Sequence, residues 1–283
     1  MINKKAYAKV NLFLNVLDKR KDGYHNLEMI NAKIDLCDDI SLKKCETSTG
    51  IIIKSNDLFL SNQDNIILQC ARFMQDKYNI NYGIKINIDK RIPYGAGLGG
   101  NSTDAATVIK GINELAELNL SLEEMKEIGN MFGADIPYCL YDELAYVTKT
   151  GEEIRVLENE IKGTSILIAH PKKHILTSSV FKIADKEGYQ SKDINPILDA
   201  IKDKDIHLIQ QHLYNSLEHI VVNMDEDMMA FKTNLIEKVG AKGLVMTGSG
   251  STFIKVLEEV NEEVKRFVSE NKDKFLVNIH KII

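Results

Sequence analysis

The 283-residue chain carries 36 Lys and Arg against 41 Asp and Glu, a formal net charge of −5, and so lacks the basic footprint of a dedicated nucleic-acid binder. At 44% hydrophobic and 27% charged residues, the composition is that of a globular protein and argues against disordered, collagenous and membrane classes. No segment approaches the ~18 apolar residues of a membrane span, and Lys9, Asn11 and Asn15 interrupt any signal-like run at the N-terminus. The length suits two modest domains. Cys37, Cys45, Cys70 and Cys139 form no CxxC and no metal-ligand spacing, which predicts buried free thiols in a reducing cytosol.

From Ala6 to Val16 the even positions are apolar, the period-2 pattern of a half-buried strand. Lys9 and Asn11 share its polar face about 7 Å apart. Asp22-Gly23 marks a turn. Strands are predicted over Ile34–Leu42 and Gly50–Lys54, then a helix from Asp64 to about Tyr78 with Ile67, Cys70, Ala71, Met74 and Tyr78 on one face. Ile84, Ile86 and Ile88 alternate as another strand. A glycine-rich loop follows, then a helix over Ala105–Leu115 with Asn101 or Ser102 as its N-cap. Ser121 and Glu124 spell a capping box for a helix that Gly133 closes. Glu143–Thr148 and Glu153–Leu157 pattern as a hairpin.

Beyond about residue 160 the order is strand Ser165–His170, helices over 178–239, strand Leu244–Met246, loop Thr247–Ser251, strand Thr252–Leu257, helix Glu259–Asn271 and strand Phe275–Ile282. This is β-α-β-β-α-β with the first α enlarged. The expected domains are therefore 1–157 and 158–283.

Gly95-Ala96-Gly97-Leu98-Gly99-Gly100 satisfies GxGxxG. An oxidoreductase built on that motif would need a continuously apolar preceding strand, and this one alternates. Walker A fails because no Gly-Lys-Ser/Thr follows. What remains is either a strand-to-helix turn or a phosphate cradle in which glycines admit backbone N–H groups and a helix offers its positive end. Four glycines in six residues followed by Asn-Ser-Thr-Asp exceed what a turn needs, and favour the cradle. The loop Gly248-Ser249-Gly250 reads as a hairpin or as a second loop closing on a phosphate.

Ala8-Lys9-Val10-Asn11-Leu12, Pro93–Thr103 and Met246–Thr252 resemble the three signature segments of the galactokinase, homoserine kinase, mevalonate kinase and phosphomevalonate kinase (GHMP) superfamily. Lys21-Asp-Gly-Tyr-His-Asn-Leu27, Asp64-Asn65 and Gly133-Ala-Asp-Ile-Pro137 resemble its 4-diphosphocytidyl-2-C-methyl-D-erythritol kinase family, of the non-mevalonate isoprenoid pathway. Homoserine-type and mevalonate-type kinases are the nearest rivals. A noncatalytic binder of the same fold would require a lost Lys9 or Asp135.

The resemblance implies a two-domain α+β fold, with a left-handed βαβ crossover in the N-terminal domain and a ferredoxin-like C-terminal domain. It implies ATP and Mg2+, a cytidylylated alcohol substrate, no nucleic-acid or membrane partner, a cytoplasmic location, and a monomer or weak homodimer. Lys9 and Asp135 would flank the reacting hydroxyl; on the residues alone, Lys9 reads as a solvated strand position and Asp135 as an N-cap. Pro93, Tyr94, Gly95, Ala96, Gly97, Leu98, Gly99, Gly100, Asn101, Ser102 and Thr103 would wrap the triphosphate, with Asn65 beside the nucleotide and Gly248, Ser249 and Gly250 closing on phosphate.

Ser102 would reach the magnesium, cap the helix, or both. Asn11, Tyr24, His25, Thr177 and Phe181 would hold the substrate, aromatics stacking on cytosine while His25 reads its edge. Asn101 stands where the family usually has glycine, Ser251 where proline is common, and Asn215-Ser216-Leu217-Glu218 where Asn-Asp-Leu-Glu is frequent. His207, His212 and His219 have no metal spacing, and Met224, Met228 and Met229 read as core or interdomain packing.

Overall fold

The computed structural model describes residues 1–46, 49–57, 60 and 65–283. The chain opens with two long strands, β1 (Ile2–Lys19) and β2 (His25–Cys45), neighbours in their sheet. The Asp22-Gly23 turn joins them, with Gly23 at a φ of 89°, a conformation that costs glycine little. β2 starts well before the expected Ile34 because His25–Lys33 buries polar His25, Asn31 and Lys33, which masks the apolar alternation that marks a strand. β1 departs from the half-buried expectation for the same reason. Between Ala8 and Val16 both faces are buried, and Lys9 is 4% exposed. Lys9 is not a solvated strand position.

Chain contacts divide the molecule into two compact units, each assembled from several stretches. The first comprises Met1–Ala8, Leu36–Tyr94 and Gly99–Asp142. In it β3 (Ile51–Ser55), α1 (Ile66–Lys77) and β4 (Gly83–Asp89) make a βαβ unit with β3 and β4 parallel. β4 runs antiparallel to Asp39–Cys45 of β2. Asp64, expected to open the helix, lies outside the described residues, and Asn65 caps α1 by accepting Leu68 N at 2.8 Å. Then come α2 (Gly100–Leu115), α3 (Leu122–Phe132) with its reciprocal Ser121–Glu124 capping box, and the short α4 (Ile136–Cys139). α2 packs closely on β2, since a Cβ on Gly111 would come within 2.5 Å of Leu42. Ile40, Leu42, Ile84, Ile86, Met74, Val108 and Ile112 are fully buried between sheet and helices, each stabilising the fold by roughly 1.5–3 kcal/mol.

The second unit comprises Lys9–Asp35, Gly95–Leu98 and Glu143–Ile283. The hairpin β5 (Ala145–Lys149) and β6 (Glu153–Val156) forms as predicted and pairs antiparallel with Leu27–Asn31 of β2. Then follow β7 (Ser165–His170), α5 (Thr177–Glu187), α6 (Asn195–Lys202), α7 (Ile206–His212) and β8 (Tyr214–Asn215). The chain ends with α8 (Glu218–Met224), α9 (Glu226–Val239), β9 (Leu244–Met246), β10 (Phe253–Leu257), α10 (Glu262–Asn271) and β11 (Leu276–Lys281). An antiparallel sheet in the order β11-β7-β10-β9 places the fourth, first, third and second strands of the predicted β-α-β-β-α-β series side by side, a ferredoxin-like order.

The enlarged helical insertion, α5 to α9, carries β8, which adds parallel to β1 at Phe13 and Leu14. Met228 is buried, but Met224 and Met229 are exposed, so only one of the three methionines packs in the core. None of the four cysteines is in a disulfide, and all but Cys45 are buried. Among the described residues, no helix is long and apolar enough to cross a membrane.

Candidate active site

The buried polar face of β1 is the first component. Lys9 Nζ donates to Asn11 Oδ1 at 3.0 Å, so the two side chains that strand geometry placed on one face meet there. Asn11 Oδ1 also accepts Gly248 N at 2.9 Å, and Asn11 N donates to Thr247 Oγ1 at 2.9 Å. On its other side Asn11 Nδ2 donates to Asn31 Oδ1 at 2.6 Å. One asparagine thus joins the lysine to the loop after β9.

The two glycine loops interlock. Gly95, Gly97 and Gly99 have φ values of 64°, 74° and 66°. A Cβ on Gly97 would come within 2.5 Å of Thr247 O and 2.9 Å of Gly250 O, so Gly97 permits backbone-against-backbone packing. Lys9 N holds the far side of this segment through Leu98 O at 3.0 Å, with Ala96 and Leu98 buried. The His174 ring occupies the space a side chain on Gly95 would need. The second loop is equally supported. Asn215 Nδ2 donates to Met246 O and Gly248 O, Glu218 accepts Met246 N, and Ser251 Oγ donates to Lys173 O. Thr177 Oγ1 meets Ser249 Oγ at 2.7 Å, which attaches Thr177 to this loop.

In the first unit, α2 begins at Gly100 with Gly99 as a left-handed N-cap that makes no side-chain capping bond. This corrects the expected Asn101 or Ser102 cap: both lie in the first turn. Asn101 has no positive φ, so its Cβ needs no special backbone. The first-turn amides carry the partial positive charge of the helix end, with no acidic side chain in that turn. Thr103 Oγ1 donates to Tyr7 O at 2.8 Å, which commits its hydroxyl to the backbone. Pro93 is half-buried and Tyr94 is exposed. Asp135 occupies the N-cap position of α4, as its place in the sequence suggests, part-buried and without a side-chain capping bond. Asn65, by contrast, caps α1 through its side chain.

Beside the start of α2 lies a cluster the sequence did not reveal. Lys90 Nζ donates to Asp38 at 2.5 Å and Asp104 at 2.7 Å. Asp38 Oδ1 also accepts the amides of Arg91 and Ile92, so the cluster ties β2, the entry to the glycine loop and α2 together. Burial drives the Asp104 pKa well up despite Lys90, and the like charge of Asp38 adds to the rise. Burial alone would lower the Lys90 pKa, but the two carboxylates outweigh it and raise it. Nothing local in the sequence marks it: Lys90 sits between Asp89 and Arg91, and Asp38 is followed by Asp39.

His25 stacks on Phe181 with ring centroids 4.7 Å apart, and Tyr189 meets its edge at 6.0 Å. Asp185 Oδ1 lies 2.8 Å from His25 Nε2. Hydrogen bonds from Lys19 and His25 hold the Asp185 carboxyl below its usual range. The structure thus brings His25 and Phe181 together, while Tyr24 is 62% exposed and is no core aromatic. A separate cavity of about 760 Å³, lined by residues including Asn3, Lys5, Asp39, Ser41 and Asn87, contains none of the expected site residues.

Residues 65–143 match the family described as GHMP kinases N terminal domain. A 4-diphosphocytidyl-2-C-methyl-D-erythritol kinase of Caldicellulosiruptor bescii is 35% identical over 273 residues, 94% of this chain and 95% of that protein. Its counterpart in Bacillus subtilis is 34% identical over 91% of this chain and 88% of that protein. The chain belongs to the 4-diphosphocytidyl-2-C-methyl-D-erythritol kinase family. A crystal structure of 4-(cytidine 5'-diphospho)-2C-methyl-D-erythritol kinase matches over 99% of each chain, with a TM-score of 0.81 at 24% identity. Mevalonate kinase of L. major in complex with R-mevalonate follows at 0.76 and 14% identity, covering 100% of this chain and 96% of that one. At such identities these structures speak for fold, and the fold of this kinase family member is the two-domain α+β GHMP kinase fold.

Proposed function

We propose that the chain is an ATP-dependent kinase that phosphorylates the 2-hydroxyl of 4-diphosphocytidyl-2-C-methyl-D-erythritol in isoprenoid precursor synthesis. The observation that carries the reading is the interlocked pair of glycine loops beside buried Lys9, in a chain that matches this family over nearly its full length. The residues present fit a triphosphate. Gly95, Gly97 and Gly99 lie half-buried in left-handed turns, α2 has no acidic side chain in its first turn, and Ser102 and Ser249 add hydroxyls. Ser102 would reach the Mg2+ brought with the nucleotide, which would supply charge compensation for the transferring group.

Asp135 accepts the proton as the substrate O–H bond breaks, or orients that hydroxyl. The substrate oxygen bonds to the γ-phosphorus while the bond to ADP breaks. Lys9 stabilises the charge that develops on the oxygen. Gly248, Ser249 and Gly250 close on the phosphates, Asn65 lies by the nucleotide, and Asn11, Tyr24, His25, Thr177 and Phe181 hold the substrate. Residues 1–157 are the N-terminal kinase domain and 158–283 the C-terminal one in the same proposal, with the protein cytoplasmic and a monomer or weak homodimer.

The test is ATP turnover against a panel of alcohols. The cytidylylated methylerythritol is expected to be the preferred acceptor. Equal phosphorylation of free methylerythritol, homoserine or mevalonate overturns the assignment.

A further inference from the structure

We propose that Asn31, on β2, is a positioning residue for phosphoryl transfer, acting through Asn11 on Lys9 and on the amide of Gly248. The inference rests on the reading of Lys9 given above. Asn31 is 0% exposed, and its Oδ1 accepts Asn11 Nδ2 at 2.6 Å. That bond decides which way the Asn11 amide faces. With Nδ2 turned to Asn31, Oδ1 is turned to Lys9 Nζ, Gly248 N and the Thr247 hydroxyl, three donors at 3.0, 2.9 and 3.4 Å. A flipped Asn11 would set an amide N–H against the Lys9 ammonium and the Gly248 amide, donor against donor. Asn31 supplies the acceptor that makes the working orientation complete on both sides.

A second observation separates this role from simple packing. Asn31 Nδ2 is buried with no hydrogen-bond partner, a costly state for a polar atom. A residue selected for core stability alone would be apolar here, as its neighbours Ile30 and Ala32 are. The amide is present for its oxygen, and the unpartnered N–H accompanies it.

The experiment compares Asn31→Leu with Asn31→Asp, which keeps an acceptor toward Asn11 and drops the unpartnered donor. For Asn31→Leu, kcat is expected to fall by about 10- to 100-fold, the penalty of a slightly misplaced group, with KM for ATP and for the alcohol unchanged and melting temperature not reduced. Asn31→Asp is expected to recover most of the lost turnover. Hydrogen exchange at the Gly248 amide, which donates to Asn11 Oδ1, is expected to quicken in Asn31→Leu and not in Asn31→Asp, a readout independent of activity. Normal kcat in Asn31→Leu, a loss of stability without loss of kcat, or an Asp variant as impaired as Leu each overturns the proposal. Should Asn31→Leu not fold, Asn31→Ala carries the same comparison without added bulk. A wild-type protein that transfers no phosphate would defeat the functional reading instead, and the Gly248 exchange would still decide the role of Asn31.

Discussion

Two lysines, both almost fully withdrawn from solvent, keep different company. Lys90 is clamped between Asp38 and Asp104 in the first unit, and Asp38 also organises the amides that lead into the glycine loop. Lys9, in the second unit, is directed by a neutral amide that in turn grips the loop after β9. Two carboxylates around one ammonium fix a charge in place and make it part of the fold. The Asn11 oxygen fixes the direction of the Lys9 ammonium and ties it to the loop after β9, so the setting of this lysine is coupled to that loop as well as to its own strand.

The comparison can be broken from either side. Replacing Lys9 by Met, or Asp135 by Asn, is expected to lower kcat by roughly 10²–10⁴ while the melting temperature holds, with the double variant little worse than either single one if, as proposed, both serve the same step. Lys90→Met is expected to do the reverse. It strands two carboxylates in the core and costs about 3–5 kcal/mol of folding stability, read by urea denaturation, with kcat largely retained in the folded fraction.

A third buried cation former behaves differently again. Burial, helped by Lys172, lowers the His170 pKa to about 4, so the folded protein keeps a neutral ring while the unfolded chain takes up a proton at about 6.5. Stability from this group is therefore complete above about pH 6.5 and is lost as pH falls toward 4, by at most about 3 kcal/mol. In His170→Gln this part of the acid sensitivity should vanish, as urea unfolding at neutral and acid pH would show. An unchanged pH slope would mean that other groups set it.

The smallest effect concerns specificity. Phe181→Ala removes the surface on which His25 rests and, in the proposed site, the stacking on cytosine, worth about 1–3 kcal/mol per base. KM for the cytidylylated substrate is expected to rise by about 5- to 150-fold, while KM for ATP stays put. Equal rises for both substrates would move Phe181 out of the cytidine end.

What the sequence made legible was whatever repeats locally. The strand over Ala6–Val16, the capping box at Ser121 and Glu124 and the β-α-β-β-α-β series all survive in the structure, because each is written in neighbouring residues. The start of β2 was hidden since buried polar groups imitate a loop in a hydrophobicity pattern. The cap of α2 went to Gly99 over Ser102, since a left-handed glycine can turn the chain without a side-chain bond. Gly97 looked like a residue cleared for phosphate, yet its missing side chain is required by the backbone at Thr247 and Gly250. Gly97→Val would therefore disturb the fold before it tested any ligand. Asn31, Asn215 and the Asp38–Lys90–Asp104 cluster depend on partners distant in the chain, which no single-sequence pattern encodes.

The central claim, that Lys9 serves the chemistry and Lys90 the fold, meets its most direct test in single-turnover transfer from bound ATP to the cytidylylated alcohol by Lys9→Met enzyme. The expected result is a rate at least about 10²-fold below wild type in a protein that unfolds at the wild-type temperature. A near-normal rate, or a loss of rate that tracks a loss of folded protein, would contradict it.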